Sequence, residues 1–184
     1  MQLLPFLKKQ TTASTRRIDL VWDVYKEDSL KRQARDNRTS NSGIRRSKVG
    51  AQVPIPKGAD WRKFLEDSIN KEHLFIFLSE QITKLTSDID SWRSIQVLST
   101  CRNKVLSNHT GVDLSSVSPS DHEEADTRLF LHLKHAAQNG HTHAFMRTVD
   151  TDVLIIALRH FHDLGMEQLW LGFGTKSNYR DIPV

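Results

Sequence analysis

The sequence predicts an α/β domain, with helices layered around a mostly parallel central sheet. Two features of the chain predict it. Short runs rich in β-branched and aromatic residues recur along it, and segments with helical spacing alternate with them. Residues 1–17 read as an amino-terminal tail. IDLVWDVY (18–25) reads as a first buried strand. From Lys26 the pattern turns polar and helical through SLKRQARDNR, and residues 37–59, with Ser, Asn, Gly and two prolines, read as a long flexible loop. Asp60 is a suitable N-cap for a helix through WRKFLEDSIN, and KEHLFIFLSEQITKL (71–85) reads as the next helix. SIQVLSTC (94–101) reads as a second strand, and residues 102–118 as polar turns. Ser120 and Glu123 have capping-box spacing, which predicts a helix from there to Asn139-Gly140. Its buried stripe is Ala125, Leu129, Leu133, Ala136 and Ala137. HAFMRTV (143–149) reads as a third strand and EQLWLGF (167–173) as a fourth. Between them VLIIALRHF (153–161) is ambiguous by period, and its place after a strand favours a helix.

A chain of 184 residues fits one domain, or one domain and a tail. Apolar residues make up 38%, enough for a core. The longest apolar runs, LFIFL (74–78) and VLIIAL (153–158), fall far short of the ~20 residues of a membrane helix. MQLLPFLKK lacks the basic head and long apolar body of a secretory signal. The single cysteine, Cys101, excludes an internal disulfide and a four-cysteine zinc site. A soluble intracellular protein with no membrane partner is expected. The net charge of +4 is unevenly spread: residues 1–63 hold 15 Lys/Arg against 6 Asp/Glu, and residues 64–184 hold 11 against 16. Such segregation suits a basic surface for a polyanion beside an acidic region that takes cations, although solvated surface charge gives the same count.

Three acidic sites fall where an α/β sheet keeps its working groups, near the carboxyl ends of strands. Asp23 lies near the end of the first strand. Asp150 and Asp152 end the third, on one side of it if the chain is still extended there. HEEADTR (122–128) opens a helix with Glu123, Glu124 and Asp126, where first-turn acids are also favoured by the helix dipole alone. Paired carboxylates repel unless donors or cations lie between them. Mg²⁺ takes oxygen ligands and often uses one or two carboxylates plus substrate phosphates. Facing acids could hold two ions for displacement at phosphorus, so a phosphodiesterase or nuclease is the natural hypothesis. Two other motifs are set aside. HEEAD has Asp126 where a zinc protease needs its second histidine, and too little chain follows VDTDV for an aspartate-nucleophile phosphatase. The histidines read as surface or packing residues and the tryptophans as core.

Four segments together resemble the flap-endonuclease-like branch of the PIN-domain nucleases: VWDVYKEDSLK (21–31), PSDHEEADTR (119–128), RTVDTDVLIIAL (147–158) and LWLGFGTKSNYRDIP (169–183). Closer still are uncharacterised animal proteins with a PIN-like domain, a His-Glu-Glu-Ala-Asp-Thr-Arg signature and transposon-like contexts. The resemblance implies a three-layer PIN-like domain over 18–184. It implies Mg²⁺ or Mn²⁺ held by Asp23, Glu124, Asp126, Asp150 and Asp152 as catalytic acids, with Glu123 as first-turn support. It also implies that Lys31 and Arg38 hold the scissile phosphate. Arg35 lies between them, and spacings of four and seven put all three on one helical face. Arg45, Arg46 and Lys48 extend this basic helix and loop (26–59) into an arch over single-stranded nucleic acid. The implied partner is nucleic acid, DNA ahead of RNA, and the implied place is the nucleus ahead of the cytoplasm.

The chain departs from the family in three places. A further metal-site Asp on an earlier strand has no counterpart, a Gly-Cys-Asp motif beyond Val184 is lacking, and Trp22-Asp23-Val24 stands for Phe-Asp-Gly. The expectation is therefore an interior piece of a larger domain, truncated at both ends. Two readings compete with a nuclease: a nucleic-acid-binding remnant of a mobile-element protein without catalysis, and a protein-interaction scaffold with an inherited fold.

Overall fold

The computed structural model describes residues 3–25 and 49–184, a mixed α/β chain that divides into two compact units, Met1–Glu123 and Glu124–Val184.

The first unit begins with α1 (Leu3–Lys9), which buries Leu4 and Leu7 in a core with Ile82, Trp92, Ile95 and Val97. Part of the expected tail is thus a docked helix. The alternation of two leucines three residues apart was the available signal. Strand β1 (Arg17–Leu20) pairs in parallel with β2 (Gln96–Cys101), and β2 pairs antiparallel with β3 (Lys104–Ser107). β1 ends five residues before the expected limit for a local reason. The Trp22 amide donates to the Thr100 hydroxyl at 2.8 Å and the Val24 amide to the Glu123 carbonyl at 2.8 Å, so neither serves a strand ladder. β3 lies where only turns were expected. Its hairpin turns through Arg102, at φ 54°, and Asn103, without the Asn-Gly or Asp-Gly pair that announces such a turn.

Two helices cover the expected stretch from residue 60 to 85. The first, α2 (Ala59–Glu66), has Gly58 at its N-cap, which leaves Asp60 in its first turn. Asp67 then caps α3 (Ser68–Asp88) by accepting from the Asn70 amide at 2.8 Å. The buried side of α3 includes Asn70, Ser79, Thr83 and Thr86. Thr83 and Thr86 return their hydroxyls to carbonyls one turn back, at 2.8 and 2.7 Å. Ser79 donates to the Thr100 carbonyl on β2 at 2.7 Å, so a polar contact ties helix to sheet.

The second unit runs α4 (Ala125–Gln138), β4 (His143–Thr148), α5 (Thr151–Leu164), β5 (Gln168–Phe173) and β6 (Arg180–Pro183). β4 and β5 are parallel, joined through α5, and β6 returns antiparallel to β5. Gly165, at φ 72°, ends α5 in the left-handed conformation that glycine adopts without a Cβ penalty. Ala136 on α4, Val153, Ala157 and Leu164 on α5, and Met146, Leu169 and Leu171 on the strands form one core. The described strands thus make two three-stranded sheets, each with one parallel and one antiparallel pairing, where one mostly parallel sheet was expected.

On β1, Arg17 and Asp19 share one face and form a two-pronged ion pair at 2.7 and 2.8 Å, with side chains 4% and 20% exposed. Removing one partner leaves the other charge largely buried. Asp19→Ala is therefore expected to lower stability by about 3 kcal/mol in urea unfolding of the full chain; a loss under about 0.5 kcal/mol would show that water replaces the carboxylate at no cost.

Candidate functional site

In the second unit the acids gather at one end for a topological reason. Residues 139–142 alone join α4 to β4, and both contribute to the same core, so α4 runs back against the strand. A 14-residue helix is about 21 Å long and a 6-residue strand about 20 Å, so α4 begins near the level where β4 ends. α5 starts directly after β4. Glu124 and Asp126 at the start of α4, and Asp150 and Asp152 at the start of α5, therefore occupy the same end of this unit.

The local geometry of each pair differs from a simple strand-end motif. Glu124 is the N-cap residue of α4, extended at φ −90° and ψ 138°, and Asp126 lies in the first turn. The pair straddles the helix start, the one arrangement that lets acids two residues apart turn the same way. The helix begins at Ala125, later than the spacing of Ser120 and Glu123 suggests. The Ser120 hydroxyl instead accepts from the His122 amide at 3.3 Å, a local turn that competes with capping. Asp150 is extended while Asp152 is already helical, so strand alternation does not align them. A direct contact links them: the Asp150 carboxylate accepts from the Asp152 amide at 2.9 Å as the N-cap of α5. Both residues are exposed.

Asp23 belongs to the first unit, three residues beyond the end of β1. It lines a cleft with Trp22, Val24, Glu72, Phe75, Ile76, Thr100 and Arg102. Trp22 stacks on Phe75 at 4.9 Å between ring centres, and Glu72 pairs with Arg102 at 3.0 Å. The cleft is small and partly open to solvent. Lys31, Arg35, Arg38, Arg45 and Arg46 lie outside the described residues.

Two kinds of residue escaped the sequence. Glu72 faces the same cleft as Asp23, brought there by a helix whose polar buried side conceals its facing. Arg128 is 1% exposed and shares a face of α4 with His132 and His135, both buried. A stripe sought in apolar residues alone passes over it, although positions 128, 132 and 135 repeat at helical spacing. Of the expected apolar stripe only Ala136 is buried; Leu129, Leu133 and Ala137 are partly buried against the core, and Ala125 is half-buried.

The donor chemistry bears on the implied Mg²⁺ or Mn²⁺. Among the described residues no three Asp, Glu, His or Cys side chains come together as a set that could hold one ion. These acids as arranged do not form the two-ion clamp. A carboxylate has about four lone-pair sites, and the cap bond uses one on Asp150. The pair at 150/152 therefore fits the other mode, in which Mg²⁺ takes one or two carboxylates and completes its shell with water and substrate phosphate. No helix among the described residues is long and apolar enough to cross a membrane. No protein family, curated protein sequence or solved structure matches this chain.

The cap separates structure from charge at position 150. Asp150→Ala should cost about 1 kcal/mol of stability, and Asp150→Asn, which caps as well, close to nothing. Denaturant midpoints of the two variants check this; equal midpoints would remove the capping role.

Proposed function

We propose that this chain acts on nucleic acid as a divalent-metal-dependent phosphodiesterase of the PIN-like, flap-endonuclease-related kind. The same reading takes its fold as a three-layer PIN-like domain. Its support is the topology of the second unit, in which the starts of α4 and α5 bring Glu124, Asp126, Asp150 and Asp152 to one end of a small mixed sheet. The resemblance of the sequence segments adds to it. A bound Mg²⁺ or Mn²⁺ lowers the pKa of water and offsets charge on the phosphate. The protein's part is to hold the acids at two helix starts. The Asp152 amide positions the Asp150 carboxylate, and the exposure of both leaves the site open to a polyanion.

The test is cleavage of labelled single- and double-stranded DNA and RNA with Mg²⁺ or Mn²⁺, comparing the wild type with Asp150→Asn/Asp152→Asn. The double variant should keep its unfolding midpoint and lose at least about 100-fold in rate, the scale of several kcal/mol of transition-state charge stabilisation. Cleavage at the wild-type rate refutes the assignment. Asp23→Asn, assayed alone, tests the remaining acid.

A second reading, nucleic-acid binding without cutting, is favoured by the lack of a three-ligand set among the described residues. Binding that weakens steeply with salt, together with no divalent-dependent cutting by the wild type, selects it.

A further inference from the structure

The β4–β5–β6 sheet has a second face, opposite its helices, with a different chemistry. Strand alternation turns Ala144, Met146 and Thr148 one way and His143, Phe145 and Arg147 the other. Met146 lies in the core, while Phe145 is 56% exposed. On β5, Leu169 and Leu171 are buried and Trp170 between them is 41% exposed. Phe145 and Trp170 are register partners. Adjacent strands lie about 4.8 Å apart, so two aromatic side chains leave neighbouring positions on an exposed face, the Phe145 ring reaching over Gly172. Isolated exposed apolar residues are ordinary; a cross-strand pair of aromatics is not.

The surroundings hold this pair in place. Arg147 lies two residues beyond Phe145, on the same face, and its register partner is Gly172. A Cβ at Gly172 would fall 2.6 Å from Phe145 Cζ and also collide with the Tyr179 hydroxyl. Only glycine lets both rings close over the strand. The Arg147 guanidinium lies 5.3 Å from the centre of the Tyr179 ring. The Tyr179 hydroxyl in turn bonds to Asp181, which pushes its pKa above the usual tyrosine range, while Arg147 acts in the opposite sense. Phe145 and Arg147 are therefore braced before any ligand arrives.

The remaining positions on this face limit what covers it. His143, Gln168 and Asp181 are exposed and surround the ring pair. An apolar helix laid across the sheet would strip water from all three and from Arg147, at a cost that two rings do not offset. Flat ring faces beside a guanidinium, within a polar border, match unstacked bases joined by phosphates. We propose that Phe145 and Trp170 form a stacking platform for the bases of single-stranded nucleic acid, with Arg147 contacting its backbone. This surface shares no residue with the acid pairs, and it needs no metal.

The test uses the full chain, in EDTA and low salt, with a fluorescein-labelled oligothymidylate of about 15 nucleotides read by fluorescence anisotropy. The wild type should bind. Phe145→Ala and Trp170→Ala should each weaken binding about 10-fold, whereas Trp170→Phe should retain it, because stacking is worth a comparable amount on any aromatic face. Arg147→Ala should weaken binding and lower the slope of log affinity against log salt by about one. Every variant should still unfold in one cooperative transition well above the assay temperature, so that a loss of binding is not a loss of fold. No binding by the wild type, or equal binding by Phe145→Ala/Trp170→Ala, overturns the proposal. So does unchanged oligonucleotide binding with loss of self-association in that double variant, since the face would then receive a second copy of the chain. With divalent ions chelated, failure here leaves the cleavage proposal standing, and failed cleavage leaves this one standing.

Discussion

One constraint organises the second unit: its small sheet buries a single face. Met146, Leu169 and Leu171 point from β4 and β5 into a core closed by Ala136, Val153 and Ala157. Ala157 is wholly buried, and so small a side chain lets α5 approach the strands closely. Both helices must lie on that face, and the short connections then fix their direction. The positions of the four acids follow from this, because each helix can start only at the end where β4 stops. The open opposite face follows as well, since a strand that sends every second residue inward sends the others out. The placement of the acids at one end and the aromatic face are thus two results of one packing decision.

The first unit solves a different problem. Its long helix lies against the sheet with several polar residues inside, and these are satisfied close to home: a threonine by the carbonyl one turn back, Ser79 by the Thr100 carbonyl of β2. Such bonds add little net stability, but leaving the groups without partners would cost about 1–3 kcal/mol each. The same accounting applies to Arg17 and Asp19, whose two-pronged pairing makes a nearly buried guanidinium tolerable.

Much of this was legible in the sequence. The strands at 96–101, 143–148 and 168–173 match their expected positions within two residues, because continuous or alternating apolar runs have few other solutions. The helix over 151–164, ambiguous by period, was decided correctly by its place after a strand. The misses share a physical cause. β3 and β6 are four residues each, too short for a periodic signal, and both pair antiparallel at a sheet edge. The end of β1 was set by the hydroxyl of Thr100, a residue far away in sequence. Among candidate site residues, Glu124 and Asp126 open a helix as expected, whereas Asp150 and Asp152, expected to end a strand, open α5, because the turn from strand to helix falls within the apolar run whose period is ambiguous. It could not supply Glu72 beside Asp23, or the buried Arg128, because both depend on which side of a helix faces inward when that side is polar.

The proposed second duty of Asp150, beside its helix cap, has an evolutionary corollary. Asparagine and serine hold a helix start nearly as well as aspartate, yet neither supplies a negative charge. In a lineage where ion binding ceased to matter, this codon could drift among those three residues with the domain intact. Where it mattered, only one of them would survive. A collection of descendants would therefore record, at this single site, which copies still needed the charge and which kept only the architecture.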